Sequence, residues 1–203
     1  MTSPAARFVI VRHGNTFAAG EPPRRIGART DLPLTAAGET QAAVLGRHFA
    51  QEGWHFAQVL VSPLLRTRAT AAAIIAHQPG GEALVAQPCE WLREIDHGPD
   101  ENQSEESVVA RIGADALSAW DERAVPPPGW IVDGVRRLAA WRAFLKEAQG
   151  DVLLVTSNGA ARFALLAAGA GAGQPLKLAT GAYGVIRRDA GDVLHIESWG
   201  IRP

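Results

Sequence analysis

The sequence lacks most features of disulfide-stabilised, membrane-embedded or nucleic-acid-binding proteins. Its 203 residues include one cysteine, Cys89, which excludes an internal disulfide and fits a reducing compartment. No apolar run approaches the roughly 20 residues of a membrane span, and the N-terminal "MTSPAARFVIV" has no charged leader region or cleavage site. The net charge of −1 provides no global field toward nucleic acid or anionic lipid. We therefore expect a cytoplasmic protein that binds neither nucleic acid nor a membrane.

Internal repeats and residue clusters with metal-ligand spacing are also missing, so we expect neither a repeat architecture nor a resident metal. The composition is that of an ordinary globular protein, with 47% apolar and 20% charged residues. A chain of this length can bury one large core. We predict a single domain over residues 1–203 that needs no cofactor.

Apolar runs typical of buried strands alternate with helical segments along the chain. Strands are predicted in "RFVIVRH", "FAQVLVSP", "ALVAQPCEWLREIDHG" and "DVLLVTSNG", and a final pair, "AYGVIRR" and "VLHIESW", flanks the turn "DAGD". Helices are predicted after the cap Thr35, over "LLRTRATAAAIIAH", from the cap Ser104 through Trp120, between Asp133 and Gly150, and over "AARFALLAA". This alternation predicts an α/β fold: a three-layer, doubly wound, mostly parallel sheet with helices on both faces.

Polar groups gather where the predicted strands end, which is where ligands bind in such sheets. They are Arg12, His13 and Asn15 after the first strand, Arg66 soon after the second, Ser157 and Asn158 after the fourth, and Glu94 and His97 in "LREIDHG". Guanidinium groups match phosphate oxygens, and a neutral imidazole held between cations can attack phosphorus. The leaving oxygen needs a proton, for which Glu94 is the candidate donor. These residues predict a metal-independent phosphate site.

Each of these residues also has a structural interpretation. Arg66 is compatible with a helix surface, and Glu94 with an ion pair to Arg93 or Arg66. Asn15 is compatible with a simple turn. The arginines of the long Gly/Pro-containing loop after the first strand are candidates for a substrate clamp, although exposed loop arginines are usually only solvated; they are Arg24, Arg25 and Arg29.

Taken in order, "VRHGNT", "DLPLTAAGETQA", "VLVSPLLRTRATA", "LREIDHG" and "VLLVTSNGAARFALL" resemble the histidine phosphatase superfamily, also called phosphoglycerate mutase-like. The resemblance covers nearly the whole chain and implies the corresponding α/β fold. It implies that His13 is the nucleophile that becomes a phosphohistidine, that Arg12 and Arg66 bind the phosphoryl group, and that Glu94 is the general acid and base. It also places Asn15 and Thr16 near the phosphate.

One motif departs from the family pattern. A second histidine is usual in a sequence such as "VSHGG", whereas this chain has "VTSNG", with Ser157 in place of the histidine and Asn158 in place of a glycine. The family histidine donates to the phosphoryl oxygens, and losing one such donor typically costs about two to three powers of ten in rate. Ser157, Asn158 or His97 is the candidate substitute.

Two functions follow from this pattern. The first is a phosphomonoester phosphatase, with activity weakened by the missing histidine and with phosphate or a small phosphorylated substrate as its partner. The second is a low-turnover or inactive regulatory module that binds phosphate or a phosphoester on the same fold. A phosphoglycerate mutase is disfavoured, because the family's mutases generally carry larger insertions and a longer tail. The sequence is also compatible with a homodimer.

An acidic run follows His97 and allows two interpretations. It comprises Asp100, Glu101, Glu105 and Glu106. If these carboxylates face the crevice, they repel polyanionic substrates. If they face outward, they form a solvated helix start that interacts favourably with the helix dipole.

Overall fold

A computed structural model describes residues 5–171 and 173–203 and contains a six-stranded sheet. The sheet order is β3-β2-β4-β1-β5-β6, in which β3, β2, β4 and β1 are parallel neighbours and β5 and β6 pair antiparallel. The strands are β1 (Ala6–Arg12), β2 (Phe56–Val61), β3 (Ala86–Pro88), β4 (Gly150–Thr156), β5 (Tyr183–Arg188) and β6 (Leu194–Ile201). The predicted mostly parallel sheet and its antiparallel final pair are confirmed.

Helices cover both faces of the sheet. They are α1 (Ala36–Gln51), α2 (Leu65–Ile75), α3 (Glu105–Ile112), α4 (Ala114–Arg123), α5 (Gly134–Glu147) and α6 (Asn158–Ala167). Alternate residues of β1 divide between the two cores: Val9 and Val11 pack with residues of α1 and α2, and Phe8 and Ile10 pack with residues of α3 to α6. Both faces of the central strands are therefore buried, which explains their continuous apolar sequences.

Two helix boundaries differ from the sequence prediction. The helix capped by Ser104 ends at Ile112, because Gly113 adopts φ +81° and a second helix, α4, begins after it. The predicted single apolar stripe is thus divided between two helices, and Val109 is 38% exposed. Asp133 precedes α5 but makes no side-chain cap, since it adopts φ +49°.

The other predicted boundaries have clear local causes. Thr35 caps α1 by accepting a hydrogen bond from the backbone N–H of Gly38. Helix α5 ends at Glu147, before Gly150, which starts β4.

Among the described residues, no helix has both the length and the apolar character to cross a bilayer. Residues 1–4 lie outside the described residues, and the single-domain organisation stays a prediction.

Strand β1 lies between β4 and β5 and sets the position of the site. Its last residue, Arg12, pairs with Thr156 at the end of β4. Immediately afterwards the chain passes against the first turn of α1, and a Cβ on Gly14 would lie 2.3 Å from the carbonyl oxygen of Gly38. Only glycine fits this crossing. The carboxyl ends of two adjacent parallel strands therefore converge next to a tightly packed turn.

Candidate active site

A cavity of about 500 Å³ opens beyond the carboxyl ends of β1 and β4. The predicted site residues that line it are Arg12, His13, Asn15, Thr16, Glu94, His97 and Asn158. Arg66 and Ser157 are not among the lining residues and lie fully buried beside them. The fold thus brings together residues that are more than 140 positions apart in the sequence.

His13 is held as a neutral ring with a defined tautomer. Its Nδ1 lies 2.7 Å from the carbonyl oxygen of Gly14, which can only accept a hydrogen bond, so Nδ1 carries the hydrogen. The Nε–H of Arg66 donates to Nε2 across 3.2 Å, so Nε2 presents a lone pair. Burial lowers the pKa of His13 well below 6.5, and the charges of Arg66 and Arg12 lower it further. This is the protonation state required of a nucleophilic imidazole.

Arg66 connects the histidine to the long loop. Its terminal nitrogens donate to the carbonyl oxygens of Thr30, at 2.9 Å, and Gly27, at 3.2 Å. Asp31 accepts a hydrogen bond from the backbone N–H of Leu65 and so fixes the start of α2, the helix that carries Arg66. The interpretation of Arg66 as a surface arginine is wrong, because its side chain is 0% exposed.

Arg12 lines the cavity and is also fixed to its wall. One terminal nitrogen donates to the carbonyl oxygen of Leu178 at 2.6 Å, and the amide oxygen of Asn158 accepts from the N–H of Leu178 at 2.9 Å. Burial lowers the pKa of Arg12 to about 10, so the guanidinium remains cationic at neutral pH. Arg12 and Asn158 therefore anchor the segment that follows α6 against the site.

Asn15 has a structural role as well as its place in the cavity wall. Its backbone N–H donates to the amide oxygen of Gln41 at 2.8 Å, and its side-chain oxygen accepts from the hydroxyl of Thr180. Thr180 also lines the cavity. The turn after β1 is thus held to both α1 and the segment before β5.

The Glu94 carboxylate lies at the N-terminus of α6. It accepts hydrogen bonds from the backbone N–H groups of Ile95, at 2.9 Å, and Gly159, at 3.0 Å. Ser157 makes no side-chain cap, so Glu94 supplies the acceptor that an N-cap residue normally provides. Ion pairing to Arg93 or Arg66 is not observed among the described residues, and Arg93 pairs instead with Glu90 at 2.8 Å.

Arg137 on α5 positions the segment that carries Glu94, a role that no sequence pattern indicated. Its guanidinium donates to the carbonyl oxygens of Trp91, Arg93, Glu94 and Val132 at 2.6–3.3 Å. Burial lowers its pKa, which Glu94 and Asp133 partly offset. No helical periodicity or local motif distinguishes this residue from the exposed arginines of the same helix.

The three candidates for the missing histidine lie in different surroundings. Ser157 is 1% exposed, and its hydroxyl has no hydrogen-bond partner among the described residues. Asn158 and His97 both line the cavity. His97 packs edge-on against Trp130, with ring centroids 4.5 Å apart, and its buried Nδ1 lies 3.5 Å from the carboxylate of Glu101.

Glu101 is part of the framework that fixes the long loop. Its carboxylate accepts hydrogen bonds from the backbone N–H groups of Gly27, Arg29 and His97. Burial acts to raise its pKa, but these hydrogen bonds and the contact with His97 lower it to about 2. A Cβ on Gly27 would lie 2.5 Å from this carboxylate and 2.6 Å from Nδ1 of His97. The loop therefore packs its backbone directly against the His97 segment.

The acidic run is not one group: Glu105 faces the cavity and Glu106 faces outward, whereas Asp100 and Glu101 match neither interpretation, because both are held by internal hydrogen bonds. Asp100 is buried and accepts hydrogen bonds from Arg111 and the indole of Trp130. Glu105 lines the cavity, and Glu106 is exposed in the first turn of α3. Within the described residues, no group of three or more His, Cys, Asp or Glu side chains is arranged to hold a metal.

Comparison with known sequences shows the family. The model of the histidine phosphatase superfamily, branch 1, matches residues 8–201. A probable phosphoglycerate mutase GpmB from an Enterobacter species is 34% identical over 75% of this chain and 69% of its own. A 2,3-bisphosphoglycerate-dependent phosphoglycerate mutase from Rhizobium etli is 31% identical over 60% of this chain and 57% of its own. The chain thus spans less than two thirds of this mutase, and its match to an uncharacterized Picosynechococcus protein spans 34% of that protein.

Solved structures share the fold at lower sequence identity. A mycobacterial glucosyl-3-phosphoglycerate phosphatase aligns with a TM-score of 0.76 at 20% identity, over 97% of this chain and 99% of that one. The YhfR protein of Bacillus stearothermophilus aligns with a TM-score of 0.76 at 23% identity, over 98% of both chains. From the extent of the family match and the agreement in fold, the chain belongs to the histidine phosphatase superfamily, branch 1.

Proposed function

We propose that this protein is a metal-independent phosphomonoester phosphatase that forms a phosphohistidine on His13. The observation that carries the proposal is the state of the His13 ring: neutral, with Nδ1 hydrogen-bonded to Gly14 and the Nε2 lone pair beside a guanidinium at the cavity. The names of the structural neighbours support the same reaction class, since they include a glucosyl-3-phosphoglycerate phosphatase and a putative alpha-ribazole-5'-P phosphatase.

In this mechanism, Nε2 of His13 attacks phosphorus and the bond to the leaving oxygen breaks. Arg12 neutralises charge on the phosphoryl oxygens. Arg66 keeps its bonds to the carbonyl oxygens of Gly27 and Thr30, and its Nε–H leaves Nε2 of His13 as that nitrogen attacks, so this donor becomes available to the phosphoryl oxygens. Glu94 gives a proton to the leaving oxygen and then takes one from the water that hydrolyses the phosphohistidine.

We assign the role of the missing second histidine to His97 and Asn158 rather than to Ser157. The first two line the cavity, whereas the buried Ser157 hydroxyl is not part of its lining. Because Nδ1 of His97 faces Glu101, Nε2 is the ring nitrogen left for the cavity. A carboxylate beside Nδ1 orients such a ring.

The test is chemical trapping of the phosphoenzyme. The protein is incubated with a phosphomonoester carrying labelled phosphate, quenched and examined for acid-labile, base-stable label. We expect label in the wild type and in a control variant of an exposed histidine, His55→Gln, and none in His13→Gln. Label that survives in His13→Gln, or wild-type turnover without any label, would contradict the proposal.

A second candidate is a low-turnover module that binds phosphate or a phosphoester. The position of Ser157 favours it, because the residue aligned with the family's second histidine supplies no donor to the cavity. A protein that binds vanadate but never becomes labelled would fit this function. Because sequence relatives are named phosphoglycerate mutases, the same preparations are assayed for interconversion of phosphoglycerate isomers. Interconversion faster than hydrolysis would instead indicate a mutase.

A further inference from the structure

The outer wall of the cavity carries cations that are already neutralised. Arg25 makes a two-pronged contact with the carboxylate of Glu105, at 2.7 and 3.0 Å. Arg24 contacts the carboxylate of Glu21 at 3.3 Å. All four side chains line the cavity, and none of them belongs to the predicted phosphoryl site.

Lys177, the third cation in this part of the cavity lining, also lies beside a carboxylate. The ammonium of Lys177 lies 3.6 Å from the carboxylate of Asp121. Arg202 does not line the cavity, and its guanidinium donates to the carbonyl oxygen of Thr180. Among the described residues, each outer lining cation therefore has a carboxylate partner. Arg12 differs from them, because its guanidinium donates to the backbone carbonyl oxygen of Leu178.

The rest of the outer lining is apolar or neutral. Phe17, Pro23 and Ile26 contribute to it, and Phe17 lies under the guanidinium of Arg24, with the ring centroid 5.5 Å away. The cavity volume of about 500 Å³ exceeds what a phosphate group alone occupies and falls in the range of small-molecule sites. The leaving group of a substrate would thus contact paired charges and apolar surface.

We infer that the substrates are phosphomonoesters of uncharged alcohols, and that Glu105 and Glu21 determine this specificity by rejecting a second anionic group. The inference rests on the proposed function for the position of the phosphoryl group. A second anion approaching Arg25 or Arg24 must displace a carboxylate that is already bound, and it then lies beside that displaced like charge. An uncharged leaving group meets neither obstacle.

The loop geometry keeps these pairs in place. Arg25 exchanges backbone hydrogen bonds with the chain before α3, donating to the carbonyl of Gln103 at 2.8 Å and accepting from the N–H of Asn102 at 2.7 Å. Glu105 is the first residue of α3, whose dipole favours a negative charge there. The Arg25–Glu105 pair therefore joins two segments whose backbones are already connected.

The experiment compares ligands that differ by one anionic group. Glycerol 3-phosphate is paired with 3-phosphoglycerate, and fructose 6-phosphate with fructose 1,6-bisphosphate. The two pairs place the second anionic group at different distances from the phosphoryl group. We expect kcat/KM to favour the member with one anionic group in each pair by about tenfold. Equal values, or a preference for the member with two anionic groups in either pair, would overturn the inference.

Two variants with the same change in net charge assign the effect to Glu105. Glu105→Gln frees Arg25, and we expect the preference to fall about fivefold, as the gain of one partly exposed ion pair allows. Glu106→Gln removes a carboxylate from the same helical turn outside the cavity lining, and we expect the preference to be retained. Equal changes in the two variants would show a general charge effect and refute the assignment.

A binding measurement separates this inference from the proposed function. Dissociation constants for the same ligand pairs are measured by calorimetry in a His13→Ala background, where no turnover is needed. Tighter binding of the members with one anionic group supports the inference even if the wild type never becomes labelled. Equal or weaker binding of those members, or no binding of any ligand, refutes it.

Discussion

Gly159→Ala tests whether the position of the Glu94 carboxylate controls the reaction. A Cβ at residue 159 would lie 2.3 Å from Oε1 of Glu94 and 3.0 Å from Cγ1 of Ile95. Ordinary van der Waals contact requires about 3.4 Å or more, so the carboxylate must move by about 1 Å. A displacement of this size in an active site costs about a hundredfold in rate. We expect kcat to fall by about that factor.

The effect on stability is expected to be smaller. Alanine has a helix propensity about 1 kcal/mol more favourable than that of glycine, and this gain offsets part of the overpacking cost of about 1–3 kcal/mol. A net loss of about 1 kcal/mol would lower Tm by about 2–4 °C for a chain of this size. Gly134→Ala is the matched control, because Gly134 also lies in the first turn of a helix and its Cβ would contact Phe163 at an ordinary 3.4 Å.

A double-mutant cycle identifies the cause. If Gly159→Ala acts by moving the carboxylate, then adding it to Glu94→Gln lowers kcat little further, because the proton donor is already gone. Steady-state kinetics of the two single variants and the double variant measure the coupling. Fully additive losses, or a Gly159→Ala variant with the activity of the wild type, would refute the reasoning.

Three further predictions concern the imidazoles and the buried guanidinium. Because the folded-state pKa of His13 is below its unfolded value of about 6.5, the unfolded chain binds more protons as the pH falls. Lowering the pH from about 7.5 to about 5.5 should therefore reduce the free energy of unfolding, measured with urea, by about 1.4 kcal/mol more in the wild type than in His13→Gln. Equal losses in the two proteins would contradict the burial of this ring. Arg66→Lys should lower kcat/KM about a hundredfold or more, since lysine cannot reproduce three directed hydrogen bonds. The same variant should make the loop around Gly27 susceptible to limited proteolysis, and an unaltered digestion pattern would contradict this linkage. His97→Ala should lower kcat about a hundredfold, whereas Ser157→His should change it less than about tenfold; a large gain in the latter would show that no other residue replaces the missing donor.

The sequence predicted the architecture well because its strongest signals are local. The runs of Val, Ile and Leu in β1, β2 and β4 are buried on both faces, and the polar residues that follow them meet at one edge of the sheet, as parallel pairing requires. The helix after Ser104 was predicted too long, because the apolar spacing continues through Gly113 while the backbone does not.

The surroundings of the site residues were less predictable, because they depend on tertiary contacts. Arg137 binds carbonyl oxygens some 40 positions away, and no local pattern encodes such partners. Arg25 and Glu105 are 80 residues apart, so neither the pairing of the loop arginine nor the inward position of this carboxylate is readable from the chain. Lys177 and Thr180 line the cavity, and no sequence motif predicted this position for them.

The hydrogen bond from Arg66 to Nε2 of His13 also bears on how the ring reacts with electrophiles other than a phosphoryl group. A ring nitrogen engaged with a donor must release it before bonding to an electrophile, so the resting imidazole is shielded from acylating compounds. An incoming phosphoryl group brings oxygens that compete for the same donor and thereby free the ring as it arrives. Under the proposed mechanism, the phosphorylated ligand itself thus releases the ring nitrogen for reaction.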